Sequence, residues 1–262
     1  MEPDSFTNRH VAALGKRIFR LGLSASYGLD ERAAREALDG PFQYVLWTPT
    51  AKALTGPLRD ACRRDRERYT VASGPTLGFF SGSVRRSVER SLRLLATDYL
   101  DVLQVFWVGK MSALTAGVLE EMARLRESGK VRALGVSIHD RPRAGRLAAS
   151  SPLDLLMVRY NAAHPGAERE IFPHLAARRP AVVAYTATSW RKLLRRPRGW
   201  EGSVMTAGDC YRFCLTSPHV DVVLTAPGNT GRMRENLAAL GKGPLAPDEE
   251  RWMRDFGRAV HG

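Results

Sequence analysis

Residues 99–139 read YLDVLQVFWVGKMSALTAGVLEEMARLRESGKVRALGVSIH, and this stretch decides the fold. Its first nine residues are apolar on both faces but for Asp101 and Gln104, nearly as a strand covered on both sides requires. Residues 115–131, TAGVLEEMARLRESGKV, carry apolar side chains at helical spacing with a glycine near the end, the mark of a helix terminus. A second apolar run, RALGVSIH (132–139), follows. Strand, helix and strand in this order predict a parallel pair joined by a right-handed crossover. The carboxyl end of the first strand holds Phe106 and Trp107. Barrel enzymes keep polar working groups at such ends, so two aromatic rings there need a reason.

The same beat extends in both directions. Before residue 99 come strand-like runs IFRLGLSAS (18–26), FQYVLWT (42–48) and YTVASGP (69–75). Helix-like sequence follows each: DERAAREALD (30–39), PLRDACRRDRER (57–68) and SGSVRRSVERSLRLLATD (81–98). After residue 139 come strands LDLLMVRYN (153–161), AVVAYTATS (181–189) and VDVVLTAP (220–227). Helices are read at 140–151, 166–178, 206–218, 230–240 and 247–260. Eight β-then-α units in about 250 residues match an α/β fold of the (β/α)8 TIM-barrel type, a closed eight-stranded parallel sheet. An open doubly wound sheet would need a Gly-rich phosphate turn after the first strand, and LSASYGLD (23–30) is not one.

Bulk properties narrow the rest. The chain has 262 residues, 44% of them hydrophobic, with no Gly/Ser run or Pro-rich spacer, so residues 1–262 are read as one domain. No run of about 18 apolar residues suggests a membrane span. The N-terminus MEPDSFTNRH lacks the basic-then-apolar order of a signal peptide, which points to the cytoplasm. Cys62, Cys210 and Cys214 are too few and scattered for a disulfide framework, and no metal site is expected. The formal net charge is +13, most of it from arginine. The densest run, RKLLRRPRGW (Arg191–Trp200), reads either as a solvated face or as a contact for a phosphate-bearing small ligand near Arg191–Arg198. No nucleic-acid motif accompanies it. A small-molecule ligand is the expected partner, and the sequence is silent on oligomeric state.

Five blocks, RLGLSASYGLDERAAREALD (20–39), ATDYLDVLQVFW (96–107), LRESGKVRALGVSIHD (125–140), AYTATSW (184–190) and VDVVLTAPGNTGRMRENLAAL (220–240), resemble the aldo-keto reductases in order and spacing. The resemblance runs from about residue 13 to 257. It implies a (β/α)8 barrel that reduces carbonyls with NADPH or NADH, through an Asp, Tyr, Lys and His. Tyr gives a proton to the carbonyl oxygen, Lys and Asp lower its pKa, and His orients the carbonyl. The matched positions here are Trp47, Lys52, Gly74 and Phe106. Trp47 and Phe106 are either core filler or the floor of a reshaped apolar pocket. Substitute proton donors are Tyr27, His139 and Tyr160, and Lys52 could serve as a displaced base or an imine-forming amine. For the nicotinamide end of the cofactor the resemblance implies Ser137 and a stacking Tyr185, with Ile138 and Met157 where the family has amide side chains. For the adenosine-phosphate end it implies Gly228, Asn229, Thr230, Arg232, Glu235 and Asn236. The expectation is NADP or NAD binding with ordinary carbonyl reduction absent or very slow. The alternatives are a non-catalytic ligand- or partner-binding barrel and a non-redox enzyme using the remodelled pocket.

Overall fold

A computed structural model describes residues 4–24 and 28–261. The chain opens with an antiparallel hairpin, β1 (Asn8–Val11) and β2 (Lys16–Phe19). Then strands and helices alternate: β3 (Leu21–Ser24), α1 (Glu31–Asp39), β4 (Tyr44–Leu46), α2 (Lys52–Arg64), β5 (Thr70–Ser73), α3 (Ser81–Leu95), β6 (Leu100–Val108), α4 (Ala116–Glu127) and β7 (Val131–Ile138). The second half runs α5 (Arg141–Ser150), β8 (Leu155–Arg159), α6 (Ala167–Glu170), β9 (Ala181–Tyr185), α7 (Ala207–Thr216), β10 (Val222–Thr225), α8 (Thr230–Leu240) and α9 (Pro247–His261). Among the described residues, eight parallel strands close into a barrel in the order β10-β3-β4-β5-β6-β7-β8-β9.

Two expectations are corrected. The run IFRLGLSAS is not one strand: Ile18 and Phe19 belong to the hairpin and Leu21–Ser24 to the barrel. Arg20 is the joint. It is buried, and its guanidinium donates to the carbonyls of Phe6 (3.0 Å), Leu215 (3.0 Å) and Asp221 (3.2 Å). Burial pulls its pKa down to about 10. A buried, fully bonded arginine between apolar neighbours reads as a strand interruption only once its acceptors are known. The helix expected at 166–178 is one α-helical turn followed by a 3-10 stretch, Phe172–Ala177. Pro173 lacks the N–H an α-helix would use and crowds the residue before it.

Side chains alternate across each barrel strand and so make two apolar layers. Tyr44, Ala72, Val102, Phe106, Met157 and Val183 are among those that fill the interior, and Val11 and Ile18 of the hairpin close it from below. Leu21, Val45, Leu103, Val136 and Leu156 face the helices. No described helix is long and apolar enough to cross a membrane.

Candidate active site

Strand register sets the layer at the carboxyl-end mouth. Ile138 pairs with Val158, and Arg159 pairs with Tyr185. Ile138, Val158 and Ala184 face the helices, so the next layer inward brings His139, Arg159 and Tyr185 to one height. The Tyr185 hydroxyl lies 2.8 Å from Nε2 and 3.1 Å from Nδ1 of His139, across β8. Trp107 tilts over the same imidazole at 5.0 Å, and Arg159 sits 5.7 Å over the Trp190 ring. Burial, then the charges of Arg159 and Lys110, lower the His139 pKa. Burial raises the Tyr185 phenol well above its ordinary value. At neutral pH the pair is therefore an uncharged imidazole beside an uncharged phenol.

Phe106 and Trp107 part at a break in the β6–β7 register between Val105 and Val108. Phe106 turns into the barrel and is buried there. Trp107 has φ 55°, a left-handed backbone that a bulky side chain adopts rarely, and it reaches the mouth with 37% of its surface exposed. Below this layer Gln104 is fully buried, its Nε2 donating to Met157 Sδ at 3.2 Å. Ser137 points inward and is buried. Phe106 thus stands in the barrel interior.

Trp47 does not line the mouth. It is fully buried between barrel and helices, with Nε1 donating to Thr55 Oγ1 at 3.1 Å. Tyr44 faces inward, Val45 outward, and Leu46 packs against the interior, so the inward position at the end of β4 is Leu46 and not Trp47. Gly74 has no room for any side chain. A Cβ there would lie 2.0 Å from the Gln104 carbonyl oxygen and 2.7 Å from its carbon. Lys52 is the exposed first residue of α2 and lines a cleft between α2 and α3.

The other expected donors fare differently. Tyr27 lies outside the described residues. Tyr160 points away from the mouth: it is buried against Phe172 and Phe213, and its hydroxyl donates to Glu168 Oε1 at 2.7 Å. Burial and that carboxylate raise its pKa, so it is a structural phenol.

Beyond β10, the strand next to β9, α8 begins beside Gly228. Asn229 caps it, its side chain accepting from Arg232 N at 2.9 Å. Arg232 and Glu235 are exposed and Thr230 is half-buried. Asn236, expected on the adenine side, lies within the fold. It is buried, and its Nδ2 donates to Thr225 Oγ1 at 3.2 Å. The Arg191–Arg198 loop follows β9 at the mouth, with Arg191, Arg195, Arg196 and Arg198 exposed and Ser189, Trp190 and Arg191 all at positive φ. Among the described residues, no cluster of three or more His, Cys, Asp or Glu side chains could hold a metal.

Sequence reasoning named His139 and Tyr185 for separate roles and missed their contact. The signal was present, since both residues end inward-facing strand positions of equal register, two strands apart. It needed the barrel's stagger to be read.

Residues 71–195 match the Aldo/keto reductase family model. Aldo-keto reductase YhdN of Bacillus subtilis is 32% identical over 100 residues, covering 37% of this chain and 29% of that protein's length. The aldo-keto reductase AKR11C1 from Bacillus halodurans superposes with a TM-score of 0.80 at 20% identity, over 97% of both chains. An aldo/keto reductase from Klebsiella pneumoniae, solved with NADP and acetate, superposes with a TM-score of 0.78 at 21% identity, over 96% of this chain and 95% of that one. Residues 71–195 are thus similar in sequence to the aldo/keto reductases, and nearly the whole chain shares the (β/α)8 barrel fold of the solved ones.

Proposed function

We propose that this chain is an NAD(P)H-dependent oxidoreductase of the aldo-keto reductase type whose proton-donating set is degenerate, so that ordinary carbonyl reduction is absent or very slow. The observation that carries this reading is the inward layer of the mouth. Where the resemblance places a carboxylate, an ammonium and an imidazole, the chain has Trp47, which is buried against the helices and leaves Leu46 on the inward side, a Gly74 that excludes any side chain, and Phe106.

The donor chemistry at the rim fits a dinucleotide. The first N–H groups of α8 have no intrahelical acceptors and favour an anion, and Arg232 stands exposed in the same turn. Asn229, Thr230 and Arg232 would hold the phosphate end, with Ser137 and Tyr185 at the nicotinamide end; the Klebsiella neighbour of the same fold was solved with NADP. Such a cofactor supplies hydride when bound. The protein's part is the proton. The only ionisable couple on the inward layer of β7 and β9 among the described residues is His139 with Tyr185, and the phenol there has a raised pKa. A phenol made less acidic by burial is a poor donor at neutral pH, and the loss of an effective acid or base commonly costs about 10² to 10⁴ in rate.

A second reading has one observation behind it: Phe106 fills the interior where a carbonyl would be oriented, which suits a ligand-binding barrel without turnover. Both readings meet one experiment. The full chain is titrated with NADPH and NADH while its tryptophan emission is followed, with exposed Trp107 at the mouth as reporter. It is then assayed on aldehydes and ketones. Cofactor binding with negligible turnover supports the proposal. Turnover within tenfold of a typical kcat of about 10 s⁻¹ refutes the degenerate site. No quenching at about 1 mM cofactor, the upper end of the usual KM range, leaves the ligand-binding barrel.

A further inference from the structure

Three strands round the barrel from β10, on the side of β5, a cleft of about 730 Å³ opens between the heads of α2 and the length of α3. That size suits a small-molecule ligand. Four cations line it: Lys52 from α2, and Arg86, Arg90 and Arg93 from one face of α3. None of the four side chains makes a hydrogen bond or ion pair with another described residue. Their neighbours behave otherwise. Arg85 forks onto Glu121 at 2.7 and 2.8 Å, and Arg35 bridges Glu31 and Asp60. The cleft contains one carboxylate, Glu89, and its Oε1 is already 3.3 Å from Lys130 Nζ. The acidic groups near α3 are thus committed toward α4, and the cleft side is left with like charges three and four residues apart, an arrangement that is unfavourable until an anion enters.

The row has a direction. From Arg86 to Arg93 is seven residues, roughly 10 Å along the helix at 1.5 Å each. Ser83 and Ser87 lie in the same row and line the cleft. A single phosphate would meet one or two of these groups, whereas a chain of phosphates would meet the row. We infer that the cleft between α2 and α3 binds a small molecule bearing a linear polyphosphate, at a site separate from the rim of α8. Multidentate Arg–phosphate contacts give the affinity, and Lys52 closes on the chain from the facing helix as a point charge.

The test is calorimetric titration of the full chain with sodium tripolyphosphate at physiological ionic strength, where exposed charges are screened beyond about 8 Å. One tripolyphosphate should bind per chain, at least tenfold more tightly than orthophosphate. The Arg86→Gln/Arg90→Gln double variant changes only exposed side chains and should melt as the parent does, yet lose at least tenfold in affinity. The Arg195→Gln/Arg196→Gln and Arg232→Gln variants should each stay within twofold. Equal losses in all three variants would reduce the effect to net charge and overturn the proposal. Loss confined to Arg195/Arg196 or to Arg232 would move the site and overturn it too. So would the absence of binding at about 1 mM, or an Arg86/Arg90-dependent preference for a single-stranded oligonucleotide over tripolyphosphate, which would make the cleft a nucleic-acid groove.

Discussion

Tyr185 Oη stands 2.8 Å from Nε2 of His139, so two strands that are not neighbours share one proton-bearing contact over the barrel mouth. Burial holds that imidazole neutral in the folded chain. His164, half-buried and 3.2 Å from Asn161 Oδ1, is lowered further, to about 4, by burial and the nearby cations. The sign follows. Below an unfolded histidine pKa of about 6.5 the unfolded chain binds more protons than the folded one, so stability falls as pH drops. The loss should begin near pH 7 and continue toward pH 4. Melting curves of a His139→Gln/His164→Gln double variant should fall less steeply across that window than those of the parent. An unchanged slope would remove both histidines from the account.

Gly74 meets the Gln104 backbone so closely that a Cβ would overlap a carbonyl carbon at 2.7 Å. Backbone atoms cannot move aside as a side-chain tip can. Gly74→Ala should therefore destabilise the barrel by about 3 kcal/mol or more, measured by urea unfolding. Gly74→Lys should be worse and should not restore reductase activity. A stable, active Gly74→Lys protein would show that the β5–β6 spacing is soft.

Leu46 and Trp47 are adjacent and serve opposite sides of the sheet. Trp47→Ala should lose about 3–5 kcal/mol, the usual range for a buried large aromatic. A carboxylate at 47 would be buried among apolar helix contacts and should unfold the chain. Leu46→Asp should fold, because Leu46 is only partly buried at the mouth. A thermal melt of the two aspartate variants checks the order, and a Trp47→Asp protein at least as stable as Leu46→Asp would reverse the register.

The barrel was legible because apolar runs and helical spacing recur eight times, and a closed parallel sheet leaves few other ways to cover them. The inward side of Phe106 follows from alternation along β6, which carries from Val102 through to it. The side of Trp47 was not legible. β4 has three residues, Tyr44–Leu46, and in so short a strand a slip of one residue exchanges inside for outside. The hairpin and the His139–Tyr185 contact were also hidden. The first depends on Arg20 finding carbonyls contributed by residues 6 and 215–221, and the second on stagger between non-adjacent strands. Both are long-range relations that no local pattern encodes.

Trp107 carries strain at the mouth. A left-handed backbone costs a non-glycine residue roughly 1–2 kcal/mol, while its ring contact with His139 returns about 0.5–1.5 kcal/mol. The two nearly cancel, so Trp107→Gly should change stability by less than about 1 kcal/mol in a thermal melt. It should also abolish most of any cofactor-induced fluorescence change. A loss of several kcal/mol would mean that the indole does more than cover the imidazole.

At the other end of the barrel, Asp101 joins three separate parts of the chain. Its carboxylate takes Lys16 Nζ at 2.9 Å from the hairpin, Arg66 Nη2 at 2.7 Å from the segment after α2, and the Val71 N–H at 2.9 Å from β5. The Asp101 side chain is buried, and the two cations are only slightly exposed. Removing one member of such a set leaves the others desolvated without their counter-charge, commonly a loss of about 3–5 kcal/mol. Asp101→Asn keeps an oxygen for Val71 N–H but loses the charge, so it should cost about 3 kcal/mol; Asp101→Ala, which loses both, should cost more. Because Lys16 is the hairpin's anchor in this set, hydrogen exchange in Asp101→Asn should accelerate first at the β1–β2 amides, before the barrel strands open. Exchange that rises uniformly over barrel and hairpin would mean that Asp101 holds the sheet and not the plug beneath it.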